Sequence, residues 1–352
     1  MPGDWQVVAG NGPAAGRARW VEFGQSWFPG AYHTFALRAA DGGCAVAMGG
    51  AVLTEPAAIA RRDPYQILAG TATGSGLVLE EPPWQAVPPT AVFPCLMLMY
   101  PNYSAYPVGG GASDGVMLRR FVTEATGWAR DQGIRSIALL YLTPDTGPLM
   151  AELERCGFSR RKIIDRCELA VTWSDPEGYL GTLPRRYRFK ARKEQRRIAE
   201  RGLHTGTRPL ATDEPELVDL RCRLIAKYDG VANRAAEQAI FDRIREHVDP
   251  DDITVFTLSA AGRLLSFSLF IQDGEEWTAM FTGSDYAAPD VSLAYFSTVF
   301  YQPVAEAPRL GVRTINYGPG SVGTKQRRGC VTKPLYAAEL RLGPRVRPRL
   351  SA

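Results

Sequence analysis

Lys325 stands in the segment Thr324-Lys325-Gln326-Arg327-Arg328-Gly329, shortly after a strand-like stretch that runs into Asn316-Tyr317-Gly318-Pro319-Gly320. A lysine on a glycine-bounded loop at a strand end can donate hydrogen bonds to an oxyanion. Loss of one such preorganised donor costs about 10²–10³-fold in rate. The same lysine could instead be a solvated loop residue, and the two readings stand side by side. Arg327 and Arg328 could hold terminal phosphates of an RNA, or one of them could pair with a nearby acid. Upstream, residues 185–201 carry Arg185, Arg186, Arg188, Lys190, Arg192, Lys193, Arg196, Arg197 and Arg201 against only Glu194 and Glu200. This segment has a net charge of +7 in a chain of +4, so the remainder is −3. Such a local concentration suits a polyanion partner. Nine cations could neutralise several RNA phosphates with strong salt dependence, and Tyr187 or Phe189 could stack on an exposed base. The bland alternative is a solvated helix face. The acidity of the rest of the chain favours RNA.

Other chemistries find little support. The six cysteines are scattered without a C-x-x-C pair, and the histidines are only His33, His204 and His247. This reads as reduced thiols and no metal centre. Cys330 follows Gly329, but no histidine lies near it in sequence to activate a nucleophile. The glycine run Gly109-Gly110-Gly111 before a helix could cradle phosphates through free backbone N–H groups. No apolar run approaches the roughly 18 residues of a membrane helix. The opening Met-Pro-Gly-Asp-Trp lacks a signal-peptide pattern, so a cytoplasmic protein is expected.

The elements that must position these residues fall into two similar series. The 352 residues suggest two domains. In the first half, the buried strand 91–100 precedes the glycine turn. Val116, Leu118, Phe121, Val122, Ala125 and Trp128 then mark a helix that Gly133 ends. A strand 136–142, a short helix 148–155 and a strand 167–173 follow. The second half has a three-stranded meander, 254–259, 264–271 and 276–283, joined by Ala261-Gly262 and Asp273-Gly274. A helix kinked near Pro303 comes next, then the strand 314–317, a glycine-rich loop 318–329 and a last strand 335–342. Between the halves, Tyr187, Ala191, Glu194 and Ile198 share one face of a helix that Gly202 caps. The expected organisation is an N-terminal domain 1–175, a C-terminal domain 176–345 opened by the basic helix 185–202, and a mobile basic tail 346–352.

This order of elements resembles the GNAT acyltransferase fold, an α/β class in which helices flank a mixed, mostly antiparallel sheet. Leu153-x-x-Cys156-Gly157-Phe158 is similar to a helix end of that fold. The repetition of the order resembles the FemABX-like transferases, which are tandem GNAT-like proteins using aminoacyl-tRNA as donor. Three stretches carry the likeness: RFKARKEQRRIAERGL at 188–203, GVRTINYGPG at 311–320 and TKQRRG at 324–329. In the second, Asn316 stands where the family has an acid. In the third, Thr324 and Arg328 replace aromatic residues. The resemblance implies an aminoacyltransferase that forms an amide between an aminoacyl ester and an amine, with no cofactor. It assigns the oxyanion role to Lys325 and tRNA contacts to the basic helix, Arg327 and Arg328. Asn316, Tyr317 and Tyr301 would contact the amine acceptor, which could be a peptidoglycan precursor, a peptide or another small amine. The long helical arm of the cell-wall relatives is not expected here, so the short forms of natural-product pathways fit better. An acyl-CoA-dependent N-acyltransferase is the alternative. Against it, Tyr106, Pro107 and Val108 precede the first glycine run where CoA-binding loops carry a basic residue. A catalytically silent RNA-binding protein is the third reading.

Overall fold

The computed structural model describes residues 23–24, 28, 31–38, 45–57, 59–72, 77, 79–101, 103–228 and 231–343. The expected tail 346–352 lies outside them. The strands in chain order are β1 (Ala31–Arg38), β2 (Ala45–Leu53), β3 (Cys95–Leu98), β4 (Ser136–Leu142), β5 (Ser159–Ala170), β6 (His204–Arg208), β7 (Ile253–Ala260), β8 (Arg263–Asp273), β9 (Glu276–Ser284), β10 (Thr314–Pro319) and β11 (Val331–Arg341). The helices are α1 (Pro64–Leu68), α2 (Pro89–Val92), α3 (Gly115–Asp131), α4 (Gly147–Arg155), α5 (Pro176–Thr182), α6 (Arg185–Glu200), α7 (Pro215–Tyr228), α8 (Arg234–His247), α9 (Val291–Phe296), α10 (Gln302–Glu306) and α11 (Val322–Gln326).

The chain divides into two compact units, residues 1–165 with 333–352, and residues 166–332. In the first, β1, β2 and β3 pair antiparallel, β3 runs parallel to β4, and β4 pairs antiparallel with β11. Parallel neighbours need a crossover, and α3 supplies it. Asp114 starts α3 by accepting from the Val116 and Met117 amides at 2.8 and 3.2 Å, an N-cap of the usual kind. Gly133, at φ +70°, follows the end of the helix. Leu118, Phe121, Val122 and Ala129 lay the apolar stripe of α3 on Leu96, Leu98, Ile137 and Leu139, as the period of the sequence requires. The sequence groups the last strand with the second half. Strand β11 instead completes the first unit's sheet, because its ladder partner is β4. Nothing in a strand's own residues names its neighbour.

In the second unit, β6, β7, β8 and β9 form an antiparallel meander, β9 and β10 are parallel, and β10 pairs antiparallel with β5. The two-residue turns Ala261-Gly262 and Gly274-Glu275 join the hairpins, with Ala261, Gly262 and Gly274 at positive φ. The helices α7 and α8 and strand β6 come in addition to the elements expected from the sequence. Gly283 lets α7 lie directly on β9, since a Cβ there would stand 2.6 Å from the carbonyl carbon of Leu220. The kink expected near Pro303 takes the form of a π-turn, Ser297–Tyr301, between α9 and α10. Proline has no N–H for the Val299 carbonyl and its ring crowds that turn, so the helix widens there. Ser268 Oγ donates to the freed Thr298 carbonyl at 2.5 Å. The meander, crossover helix and following strands give each unit the α/β, GNAT-like order expected from the sequence.

Candidate active site

The chemistry-bearing residues of the second unit meet where β10 ends. Parallel pairing of β9 with β10 covers only residues 276–278 against 314–316. Beyond that β9 stays with β8 and β10 with β5, so the two strands part. Tyr317 is the first residue past the parting and lies at a bulge, because the register against β5 shifts between Asn316 and Gly318. Bulges of this kind re-aim a side chain beside a functional site. Gly318 and Gly320 then take positive φ, and Ser321 follows at φ +50°, a left-handed conformation a serine adopts at a cost of about 1–3 kcal/mol.

Lys325 is 7% exposed on α11 and reaches back to this turn. Its Nζ donates to the carbonyls of Tyr317, Gly318 and Pro319 at 2.7, 2.9 and 3.2 Å. An ammonium has three N–H bonds, and three carbonyls use them. The oxyanion role expected for Lys325 is thus replaced by that of holding the turn in place. Its charge remains beside Tyr317.

Arg328 is 4% exposed and does not face an RNA surface, contrary to expectation. Its guanidinium lies 3.4 Å from the centroid of Phe296 and 5.4 Å from that of Phe300. Nη2 pairs with Glu194 Oε2 at 2.9 Å. Tyr301 donates its hydroxyl to the same oxygen, and Lys190 Nζ stands 3.8 Å from Oε1. Tyr179 donates to the Arg328 carbonyl at 3.0 Å. Burial and the Glu194 carboxylate push the Tyr301 hydroxyl far above its ordinary pKa, although Arg328 opposes the shift. Tyr301 therefore stays protonated and anchors Glu194 instead of contacting an acceptor amine. A buried charge needs a partner such as Glu194.

Asn316 points to the other face of β10. Its Nδ2 donates to Glu276 Oε1 at 3.2 Å and its Oδ1 accepts from the Gly318 amide at 2.9 Å. It shapes the turn and is separated from Tyr317 by the alternation of the strand. Burial raises the Glu276 carboxyl above its usual range. Cys330 is buried, and its thiol is pushed up to about 12 by burial, which removes it as a nucleophile.

The basic helix α6 forms as expected. Ala191, Glu194 and Ile198 are buried, Tyr187 packs on the same core, and Gly202 follows the helix at φ +61°. Its cations divide. Arg188 donates to the Gly181 and Leu183 carbonyls, both at 3.1 Å, and so caps α5. Arg192 pairs with Glu177 at 2.5 Å, Arg196 with Glu200 at 3.7 Å and Arg201 with Asp290. Arg186 lies over Tyr187, 5.1 Å from the ring centroid. Arg185, Lys193 and Arg197 are exposed with no carboxylate partner among the described residues, and Arg327 is likewise exposed. Phe189 is 70% exposed in the midst of this face. Positions three and four away on a helix are neighbours, so Arg185, Arg186, Arg192 and Lys193 surround it. Tyr187, the other stacking candidate, is spent on packing.

Glu194 went without a role in the sequence reading. Its signal was available: it is the one acid among the positions that share the apolar face of α6. Phe296 and Tyr179 had no such signal, because nothing in their sequence neighbourhood marks them as partners of Arg328.

The helix of each parallel crossover could hold a phosphate at its start. In the first unit Asp114 already occupies the free amides of α3, whereas in the second Asp290 precedes α9 without capping it and pairs with Arg201. The Asp114 carboxylate repels a phosphate at the start of α3. Among the described residues no group of His, Cys, Asp and Glu could hold a metal ion, and no helix is long and apolar enough to cross a membrane.

The FemAB-like family, described as peptidoglycan biosynthesis and recognition, matches residues 109–351, and the chain belongs to it. It is thereby an amide-forming transferase by class. No curated protein matches the chain. Solved structures with the same fold include FemX, at 12% identity and a TM-score of 0.63, covering 97% of this chain and 96% of that one. The C-terminal domain of a putative lysylphosphatidylglycerol synthetase from Agrobacterium fabrum aligns at 14% identity and 0.57, covering 96% and 91%. L-PGS from Bacillus licheniformis aligns at 12% and 0.55, covering 90% and 86%.

Proposed function

We propose that this protein moves an aminoacyl group from aminoacyl-tRNA to an amine acceptor of the peptidoglycan-precursor or small-peptide kind. The observation that carries the reading is the face of α6: unpaired Arg185, Lys193 and Arg197 around a solvent-facing Phe189. Unpaired cations suit phosphates, and an exposed aromatic ring suits a splayed base. The family description supports a peptidoglycan-type acceptor. Arg327 would add a contact from α11's end, while Arg328 and Lys325 build the site beneath. The Asp114 carboxylate, which fills the start of α3, speaks against an acyl-CoA pyrophosphate there.

The chemistry requires no covalent enzyme intermediate, because an aminoacyl ester is already activated. The protein must hold the ester and a neutral amine in line and stabilise the oxyanion. The first test is retardation of total aminoacylated tRNA at two salt concentrations with excess acetyl-CoA as competitor. Salt-sensitive binding untouched by acetyl-CoA is expected, followed by transfer to a peptidoglycan stem peptide with a free amine. No retardation at low salt overturns the reading. Binding without product from any charged tRNA would make the protein an RNA binder only.

A further inference from the structure

Among the described residues of the second unit, Arg166 Nε, Arg188 Nε, the Tyr317 hydroxyl and Arg328 Nε are buried donors without a partner, and the last two lie beside one ring system. A buried donor left unpaired costs about 1–3 kcal/mol, so two beside one ring system call for an explanation. Both lie against Phe300. The Tyr317 ring centroid is 4.6 Å from that of Phe300, and the Arg328 guanidinium carbon is 5.4 Å from it. The rest of each residue is fixed. Lys325 holds the Tyr317 carbonyl, and Glu194 with Phe296 holds the guanidinium. Tyr295 and Phe296, about one helical turn before Phe300, are half-buried. The setting is also unusual in backbone: Tyr317 sits on the bulge where β9 and β10 part, opposite the π-turn that carries Phe300. Such turns often accompany functional sites. Burial keeps the Tyr317 hydroxyl protonated, and the guanidinium never loses its proton. Toward a carbonyl oxygen both groups act as donors.

We infer that Tyr317 Oη–H and Arg328 Nε–H are the pair of donors that receives the acyl carbonyl oxygen during transfer, the role the sequence assigned to Lys325. The inference rests on the function proposed above. The acceptor nitrogen attacks the ester carbonyl carbon and forms the C–N bond. The C=O π pair moves onto oxygen, and the two donors hold that oxyanion. Collapse restores C=O and breaks the bond to the ribose oxygen, which takes the proton released by the nitrogen. The products are the amide and the free ribose hydroxyl.

Tyr317→Phe separates this role from a structural one, because the hydroxyl it removes holds nothing in the fold. The variant is expected to melt at the same temperature as the wild type or higher and to bind charged tRNA equally well. Its single-turnover transfer to the stem peptide should fall about 10²-fold. Arg328→Lys, which keeps a cation for Glu194 but lacks Nε–H, should show a comparable loss. Wild-type transfer by Tyr317→Phe overturns the inference while leaving the function standing. If the wild type makes no product from any charged tRNA, the donor reading falls, and the pair is measured with acyl-CoA thioesters, whose carbonyl oxygen makes the same demand. Equal rates there overturn the inference, and no product from either donor overturns both.

Discussion

Glu194→Gln tests the buried network that holds the site together. The side chains of Arg328 and Glu194 are 5% and 11% exposed, and their contact is 2.9 Å. Removing one partner of a buried pair costs about 3–5 kcal/mol, because the other charge is left behind. Glutamine keeps an oxygen for Arg328 Nη2 and for the Tyr301 hydroxyl, so only charge is lost and the lower end, about 3 kcal/mol, applies. The Lys190 contact at 3.8 Å involves an exposed amine and adds less than about 1 kcal/mol. For a unit of this length, about 3 kcal/mol corresponds to roughly 6–12 °C in melting temperature. Urea unfolding followed by the fluorescence of Trp173 and Trp277, both in this unit, measures it. Arg328→Met combined with Glu194→Gln replaces the pair with neutral groups and should recover about 2 kcal/mol relative to the sum of the singles. If Glu194→Gln lies within about 1 kcal/mol of the wild type, or the double variant is merely additive, the account of a mutually dependent buried pair is refuted.

Replacing Arg185, Lys193 and Arg197 together by glutamine should weaken tRNA binding and lower the slope of log affinity against log salt by about 2–3, at roughly 0.7–0.9 per phosphate contact; an unchanged slope would place RNA elsewhere. Phe189→Ala should weaken binding of charged tRNA by about 1–3 kcal/mol without changing that slope, which filter binding over a salt series separates. Lys325→Met should destabilise the unit by about 3 kcal/mol, and Lys325→Arg should not rescue it, since a planar guanidinium cannot serve three carbonyls converging on one atom; full rescue in urea unfolding would count against that geometry. In the first unit, burial raises the Glu339 carboxyl against the opposing hydrogen bond from Trp84 Nε1 at 3.0 Å. The folded state therefore holds its proton to higher pH than the unfolded state, and stability falls as pH rises from about 4.3 through the folded value. Glu339→Gln, which still accepts from Trp84, should flatten that dependence and match or exceed wild-type stability at neutral pH; a variant less stable there would reverse the sign.

What the sequence by itself determined was local. The periodicity of 116–131 and of 185–200, the turn dipeptides of the meander and the glycine after each helix set those elements within a residue or two, because their causes lie within a few positions. The family likeness rested on the same scale of information, in the order of elements and three short motifs. The charge of α6 was legible for the same reason, and so was the place of Glu194 on its inner face. Tertiary structure alone decided what each side chain does. Lys325 turns to three carbonyls because α11 folds back on the end of β10, and Arg328 is buried because Glu194, Phe296 and Tyr301 arrive from 134, 32 and 27 positions away. Asn316 and Tyr317 are adjacent in sequence yet part to opposite faces of a strand. Strand β11 joins β4 because a free ladder edge awaits it there, a fact its own residues do not carry. Hydrogen-bond partners, faces and strand neighbours are relations between distant segments, and only the folded chain brings those segments together.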